Sequence, residues 1–249
     1  MSVAPAIISK MKLKRSNDRK VTNAVSPNGK TSTIANTFGL PAGKAYSCPD
    51  ATSICEVICY AGKLEKIFPT VKTNLLHNWE LLRNANYETM YSLLNEMIDE
   101  FIVDCEKKNA DKLFRIHWDG DFFNTTYANA WKDIVVNHPT VQFWVYTRVK
   151  TAALILKDID NLSLYYSTDA DNIKIGVDLK LNHGIRMAYL AKSFAIGQAD
   201  IKAMIGKPIA KCPENTKQIP LISTKGSACV SCGLCIYSKS DVLFSSTKK

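Results

Sequence analysis

Two features are missing from the sequence, and each absence excludes a class of protein. No apolar run approaches the roughly 20 residues that a transmembrane helix needs, so no membrane association is expected. The first residues lack the basic start and long apolar stretch of a secretory signal. The sequence therefore predicts a cytoplasmic protein, in a compartment where thiols are kept reduced.

Internal repeats and low-complexity segments are also lacking, and so is a strict phosphate-binding loop. Residues 24–31 match a loosened P-loop pattern, but Ala24 stands where the strict form requires glycine. The Ser-Pro-Asn-Gly run at residues 26–29 is typical of a turn. We therefore predict a turn at this position rather than a P-loop.

Cysteine, by contrast, occurs eight times. Disulfides are rare in a reducing compartment, so clustered cysteines indicate metal or redox chemistry. Cys105 stands alone on the apolar stripe of a predicted helix, and we expect it to be a buried core thiol. The other seven form a front group, Cys48, Cys55 and Cys59, and a tail group, Cys212, Cys229, Cys232 and Cys235.

The tail group predicts an iron–sulfur cluster. Its last three cysteines are spaced C-x2-C-x2-C, which lets one tight loop present thiolates to several irons of a cube, and ferredoxins combine this run with a distant Cys-Pro. We predict a [4Fe–4S] cluster held by Cys229, Cys232 and Cys235, with Cys212 or another remote cysteine as the fourth ligand. A zinc site is the alternative, although zinc usually takes paired C-x2-C knuckles.

The front group has the spacing C-x6-C-x3-C. Three thiolates could hold a second [4Fe–4S] cluster and leave one iron without a protein ligand, open to a substrate or a cofactor. The alternatives are a zinc site completed by a histidine, and free thiols.

Apolar periodicity predicts an α/β fold. Helical spacing is found at residues 71–85 and from Tyr87 to Cys105. Strands and helices then alternate, which implies a parallel sheet with right-handed crossovers, and the available length fits a partial, open (β/α) barrel. The predicted strands are residues 113–118, 141–146, 162–167, 173–177 and 185–190, and the predicted helices are residues 125–137 and 150–157.

These patterns divide the chain into three segments. Residues 1–47 form a basic N-terminal arm with loops and short strands. Residues 48–210 form the partial-barrel domain, which begins with an irregular loop carrying the front group. Residues 211–249 form a turn-rich, cysteine-rich tail.

Acidic residues follow the first predicted strand of the alternation. Asp119, Gly120 and Asp121 lie at its carboxyl end, where parallel α/β folds bind ligands. Strand alternation would place Arg115, His117 and Asp119 on one face. We predict that the two aspartates bind a cationic group or a metal. The alternative has Asp119 capping the turn and His117 satisfied in the interior.

The formal net charge is +9, and the N-terminal arm contributes much of the excess. Such an arm can track the phosphates of a nucleic acid. The alternative is a solvated terminus, because no aromatic residue lies between Lys10 and Lys30 to stack on bases. Before Cys48 the one acidic residue is Asp18, whereas the basic residues are Lys10, Lys12, Lys14, Arg15, Arg19, Lys20, Lys30 and Lys44.

Several motifs resemble those of the phage protein family called gene product 88. The resemblance covers about residues 30–236 and implies a protein located in the cytoplasm of the host cell. Its motifs are residues 36–43, residues 47–49, Cys55, residues 59–61, residues 115–117, residues 120–122, residues 143–148 and the cysteine-rich tail.

The order of parts also resembles, more distantly, radical S-adenosylmethionine (SAM) enzymes. Those enzymes have a three-cysteine loop followed by a strand that ends in Gly-Gly-Glu-Pro, which helps to hold the methionyl amine of SAM. The resemblance implies this role for Gly120 and Asp121. Their usual C-x3-C-x2-C spacing is absent here, and aspartate replaces glutamate. A tail cluster beside a partial barrel resembles members of that superfamily with auxiliary clusters.

We therefore predict an iron–sulfur protein with a radical-SAM-like partial barrel, acting as an oxidoreductase or transferase on a small-molecule substrate. The alternative is a non-catalytic module, stabilised by a cluster or by zinc, that binds nucleic acid or a host protein through its basic arm.

Overall fold

The computed structural model describes residues 11–22, 33–223 and 226–247, so Lys10, Lys30 and the turn predicted at residues 24–31 lie outside the described residues. The described chain contains nine strands and nine helices. The strands are β1 (Thr37–Gly39), β2 (Leu113–Asp119), β3 (Gln142–Thr147), β4 (Leu162–Thr168), β5 (Arg186–Ala191), β6 (Ala210–Lys211), β7 (Ile222–Ser223), β8 (Gly226–Ser227) and β9 (Val242–Ser245). The helices are α1 (Ser53–Ile58), α2 (Tyr60–Ile67), α3 (Pro69–Leu82), α4 (Tyr87–Lys107), α5 (Thr125–Asn137), α6 (Lys150–Leu156), α7 (Ile173–His183), α8 (Phe194–Ile205) and α9 (Ala228–Cys232).

Seven strands form one sheet in the order β1-β2-β3-β4-β5-β9-β6. Every neighbouring pair in this sheet is parallel, and β7 and β8 form a separate antiparallel pair. The predicted α/β class with a parallel sheet is confirmed, whereas the finer assignment to a radical-SAM-like partial barrel stays a prediction. Among the described residues, no helix is long and apolar enough to cross a membrane.

The two faces of the sheet carry different chemistry. From β1 to β5 the strand order follows the chain order, and right-handed crossovers then place the connecting helices on one face, the outer face. This outer face carries the main apolar core, in which Phe114 and Val145 pack with Trp131 of α5. The opposite, inner face presents Trp144 and Tyr165, which pack against the C-terminal segment.

The predicted elements agree with the structure except in three places. Helix α5 has the predicted bounds, and residues 185–190 are confirmed as a strand within small shifts at the ends. Residues 173–177 do not form the predicted strand but begin α7, since their buried positions, Ile173, Gly176 and Leu179, follow a helical spacing. The cysteine loop is not wholly irregular either, because it contains α1 and α2. Helix α8 and strand β9 were not predicted.

His117 departs from the predicted alternation of β2. Its backbone is left-handed, with φ of 58°. Its side chain therefore does not share a face of the sheet with the Arg115 side chain, and its ring lies in the outer core against Phe122 and Trp131. Nε2 hydrogen-bonds to the Tyr127 hydroxyl at 2.9 Å. Burial lowers the pKa of His117 to about 3, so the ring is neutral at pH 7. His117 is therefore a core residue, but only one of its ring nitrogens is satisfied, because Nδ1 is buried and has no hydrogen-bond partner among the described residues. Cys105 is also buried in this core, as predicted.

The turn after β2 requires glycine, and substitution should show this. Gly120 has φ of +81°, and a Cβ atom there would lie 2.4 Å from Ser47 Oγ and 2.8 Å from the Leu40 carbonyl oxygen. Gly120→Ala should therefore add overpacking, about 1–3 kcal/mol, to the left-handed backbone cost of about 1–2 kcal/mol. Gly184→Ala is the matched control, because Gly184 has φ of +70° and a Cβ atom there would meet nothing within 4 Å. Urea unfolding measures both losses, and equal losses would contradict this account.

Candidate metal centres

The tail group lies against the inner face of the sheet. Cys212 follows β6, Cys229 and Cys232 belong to α9, and Cys235 is in the turn after it. Cys229 packs in the apolar cluster around Trp144. Cys212 and Cys235 pack in the neighbouring cluster around Tyr165, Ala188 and Val242. Cys212, which is distant in sequence, is thus held beside Cys229 and Cys235 over adjacent strands.

The thiols of the tail group influence one another. Burial raises the pKa of Cys229 to about 12, and negative charge on Cys235 or Cys212 raises it as well. Burial likewise raises the pKa of Cys235 to about 12, with Cys212 and Cys232 contributing in the same direction. Four thiolates in this position would repel one another unless a cation lay among them. The four cysteines that the sequence assigned to the tail group are thus near enough to affect one another's pKa, although no three of the described His, Cys, Asp or Glu side chains are grouped so that they could hold a metal ion.

Hydrogen bonds fix the tail loop to the sheet. Within the loop, the Gly233 N–H donates to the Cys229 carbonyl at 2.8 Å, which closes α9. The Ser163 hydroxyl of β4 donates to the Ile236 carbonyl at 2.7 Å. The Tyr165 hydroxyl donates to the Ser240 carbonyl at 3.0 Å. The loop is therefore positioned by polar groups of the sheet as well as by apolar packing.

The described part of the basic arm packs along the protein. The Cys229 N–H donates to the Lys20 carbonyl at 2.9 Å. Val21 is buried beside Trp144 in the cluster next to the tail group. Several basic side chains of the arm form ion pairs, which are Lys12 with Glu96 and Glu100, Arg15 with Asp104, Lys20 with Glu214, and Lys44 with Glu56. Binding of nucleic acid through the arm stays a prediction, and for these residues it would compete with existing pairs.

The front group lies at the carboxyl ends of β2, β3 and β4. Cys48 ends the turn after β1, Cys55 lies in α1, and Cys59 caps the N-terminus of α2. The Cys59 sulfur accepts a hydrogen bond from the Gly62 N–H at 3.3 Å. Next to Cys59, the Tyr60 hydroxyl donates to the Trp118 carbonyl near the end of β2, at 3.3 Å.

Asp119 and Asp121, at the carboxyl end of β2, affect the pKa values of the three front thiols. Burial raises the pKa of Cys48, and Asp121 and Asp119 raise it further. Burial also raises the pKa of Cys55, while the nearby Arg148 lowers it. The pKa of Cys59 is raised by burial, by Asp119 and by Cys55. The structure thus brings the front group to Asp119, Gly120 and Asp121.

Asp121 already has protein partners for both of its oxygens. Oδ1 accepts hydrogen bonds from the Thr147 hydroxyl at 2.6 Å and from the Phe122 N–H at 2.8 Å. Oδ2 accepts the Arg148 N–H at 2.8 Å. Burial raises the pKa of Asp121 to about 6, so the carboxylate is charged at pH 7. Its arrangement is that of a cross-link between the ends of β2 and β3.

Asp119 has a free oxygen. The residue is 3% exposed, and Oδ1 accepts the Gly120 N–H at 2.9 Å. Oδ2 is buried and has no hydrogen-bond partner among the described residues. Burial and the neighbouring Glu65 carboxyl group, through its charge and a hydrogen bond between the two side chains, raise the pKa of Asp119 to about 8. The two carboxyl groups therefore hold a proton at pH 7, and a cation bound beside Oδ2 would displace it.

A buried ion pair fixes the helix that carries Cys55. Arg148 Nη1 lies 2.7 Å from Asp169 Oδ2, and Asp169 is fully buried at the end of β4. The Thr52 hydroxyl donates to the same carboxylate at 2.5 Å and accepts the Cys55 N–H at 3.1 Å. Sequence reasoning did not identify Thr52 or Glu65. The Thr-x-x-Cys spacing of an N-cap was a signal for Thr52, whereas nothing local marks Glu65.

Two surface cavities lie away from the cysteines. One, of about 780 Å³, follows α4 and is lined by Asp99, Glu100 and Asp104 among others. The other, of about 290 Å³, is lined by residues at the start of β4 and β5, including His183 and Arg186. Neither cavity is lined by a cysteine, so neither supports a ligand site beside the two groups.

The donor chemistry of both groups fits a metal cofactor. A thiol binds metal as the thiolate, and here burial and neighbouring negative charges oppose the thiolate unless positive charge is supplied. The tail group offers four thiols, and four cysteine thiolates are the usual ligands of a [4Fe–4S] cluster. Among the residues that the structure describes, no three His, Cys, Asp or Glu side chains are grouped so that they could hold a single metal ion.

Comparison with known proteins gives the family. The family model described as "Gene product 88" matches residues 11–238. The "Gene 88 protein" of Mycobacterium phage L5 is 53% identical over 243 residues, which cover 96% of this chain and 99% of that protein. The "Gene 88 protein" of Mycobacterium phage D29 is 51% identical over 243 residues, which cover 95% and 99%. No solved structure matches the chain. The chain belongs to the gene product 88 family.

Proposed function

We propose that the protein is an iron–sulfur protein whose tail group, Cys212, Cys229, Cys232 and Cys235, holds a [4Fe–4S] cluster. The observation that carries this proposal is the packing of Cys212, Cys229 and Cys235 in two neighbouring apolar clusters of the inner face. There the buried thiols raise one another's pKa, and bound iron would offset the repulsion between their thiolates. It would also tie the tail loop to β6, because Cys212 lies directly after that strand.

Zinc remains the alternative for the tail group. In a zinc site, four sulfurs lie about 2.3 Å from one ion, so they approach one another closely. In a cubane each thiolate binds a different iron, so the sulfurs stand further apart. The lack of a single-ion group among the described residues bears on the zinc geometry, in which four sulfurs surround one ion. Analysis of bound iron, sulfide and zinc distinguishes the zinc site from the cubane.

For the front group we propose a second [4Fe–4S] cluster held by Cys48, Cys55 and Cys59. When bound, such a cluster supplies one-electron chemistry and an iron with a free coordination position. The chain's own residues would then bind the cofactor SAM in the radical-SAM-like manner. Asp119 Oδ2 is free to accept a hydrogen bond from an ammonium group, while Asp121 holds the Gly120 turn in place. This assigns the ammonium contact to Asp119 and a positioning role to Asp121.

The site indicates the charge of the substrate. A buried carboxylate beside thiolates would select a cationic small molecule over an anionic one. The radical-SAM-like interpretation makes the protein an oxidoreductase or transferase. A cluster- or zinc-stabilised module that binds nucleic acid or a host protein through residues 1–47 is the competing function, and it has no need of SAM.

The first prediction is that protein purified without oxygen is brown and contains iron and sulfide. Cys232→Ala and Cys235→Ala should each lower the iron content by the share of one cluster and destabilise the fold, since ligand binding stabilises the folded state. Cys105→Ala is the matched control, because Cys105 is buried in the outer core and belongs to neither group; it should keep all of its iron. Stoichiometric zinc without iron in the wild-type protein would overturn the cluster assignment.

The second prediction concerns SAM. Adding SAM to the reduced protein should change its electron paramagnetic resonance spectrum, and Cys59→Ala should abolish the change while the tail signal persists. Asp119→Asn should weaken SAM binding about tenfold or more, because a hydrogen bond to a charged group contributes about 1.5–3 kcal/mol. Cys105→Ala again serves as the control. A spectrum that SAM leaves unchanged in the iron-loaded wild-type protein would contradict the SAM assignment without affecting the tail cluster.

A further inference from the structure

Arg115 occupies an unusual position between the two cysteine groups. It projects from β2 toward the inner face, and only 13% of its side chain is exposed. Its Nη1 atom lies 3.0 Å from Asp18 Oδ2 in the N-terminal arm. Its guanidinium carbon lies 5.4 Å from the ring centre of Tyr146 on the next strand. A buried guanidinium with one partner carboxylate therefore lies beside the tail group, because Tyr146 packs in the same apolar clusters as Cys229 and Cys235.

The positive charge of Arg115 acts on the tail group. Tyr146, over whose ring the guanidinium lies, packs with Cys229 in one apolar cluster and with Cys235 in the next. In agreement with this position, Arg115 lowers the pKa of Cys229 and of Cys235.

Asp18 opposes this charge and is itself held firmly. Its Oδ1 atom accepts the Lys20 N–H at 2.9 Å, and its carbonyl accepts the Val21 N–H at 2.9 Å. Lys20 then bonds through its carbonyl to the Cys229 N–H at 2.9 Å. Asp18 therefore places a negative charge beside Arg115. The turn that contains Asp18 also bonds to Cys229, the first cysteine of the tail loop.

We propose that Arg115, partly neutralised by Asp18, is a charge-compensating residue that sets the reduction potential of the tail cluster. This inference rests on the proposed function, since it requires the tail cluster to be present. On reduction the cluster takes up one electron from the reductant, dithionite in the test below, and its net charge becomes more negative by one. A buried cation nearby stabilises the reduced state more than the oxidised state, so the potential rises with the charge at this position.

Three variants separate the effect of charge from the effect of structure. Arg115→Gln removes the positive charge and should lower the midpoint potential of the tail cluster by at least about 59 mV. For a one-electron couple this is a tenfold fall in the ratio of reduced to oxidised protein at a given potential. Asp18→Asn should raise it, and its amide oxygen can still accept the Lys20 N–H. Arg115→Lys should restore most of the potential lost in Arg115→Gln. Redox titration with dithionite, followed by electron paramagnetic resonance, measures the potential of the tail cluster.

The opposite signs make the test decisive. A purely structural Asp18–Arg115 pair would be broken by Arg115→Gln and by Asp18→Asn alike, so shifts of the same sign, or no shift, would overturn the proposal. Arg83→Gln is the matched control, since Arg83 forms an exposed ion pair with Glu80 at 2.8 Å at the end of α3; it should leave the potential of the tail cluster unchanged. Iron and sulfide are assayed on every sample. Wild-type protein without iron would contradict the proposed function, whereas iron-loaded variants with unaltered potentials would contradict this inference alone.

Discussion

The buried carboxylate of Asp121 is the interaction on which the arrangement of the front group depends. Its two oxygens join the end of β2 to the end of β3 through Thr147 and Arg148, and its own N–H donates to the Ser47 hydroxyl beside Cys48 at 3.3 Å. A charge placed in the interior is costly unless it is fully hydrogen-bonded, so the turn that supplies these donors has little freedom. The adjacent Gly120 can pass close to Ser47 only because it has no side chain.

The two cysteine groups lie in different surroundings. The tail group lies on a face of aromatic side chains, where Tyr146 and Tyr165 surround it. The front group lies at the strand ends among carboxylates and the buried Arg148–Asp169 pair. A low-polarity setting and a charged setting tune a metal cofactor differently. The short N-terminal turn at Asp18 and the β2 residue Arg115 lie between these two environments.

Much of this organisation could be predicted from local sequence, and the failures have physical causes. Helix α5 and strands β2 to β5 were predictable because their apolar spacing matches the buried face. Residues 173–177 were mispredicted because Ile173, Ile175 and Val177 alternate as in a strand. The deciding contact is long-range, since Gly176 packs so closely on Thr168 that a Cβ atom would lie 2.1 Å from its methyl group. The cysteine groups followed from spacing, but Glu65 and Asp18 gain their roles only where the fold brings distant segments together.

The position of β9 has a consequence for how the chain folds during synthesis. This strand comes last in the sheet by chain order, yet it lies between β5 and β6 and is the neighbour that joins β6 to the sheet. While residues 242–245 are still inside the ribosome, β6 lacks the strand with which it pairs. Domains fold as units once their parts have emerged. Because Cys212 directly follows β6, the position of this tail cysteine depends on a strand that is synthesised well after it.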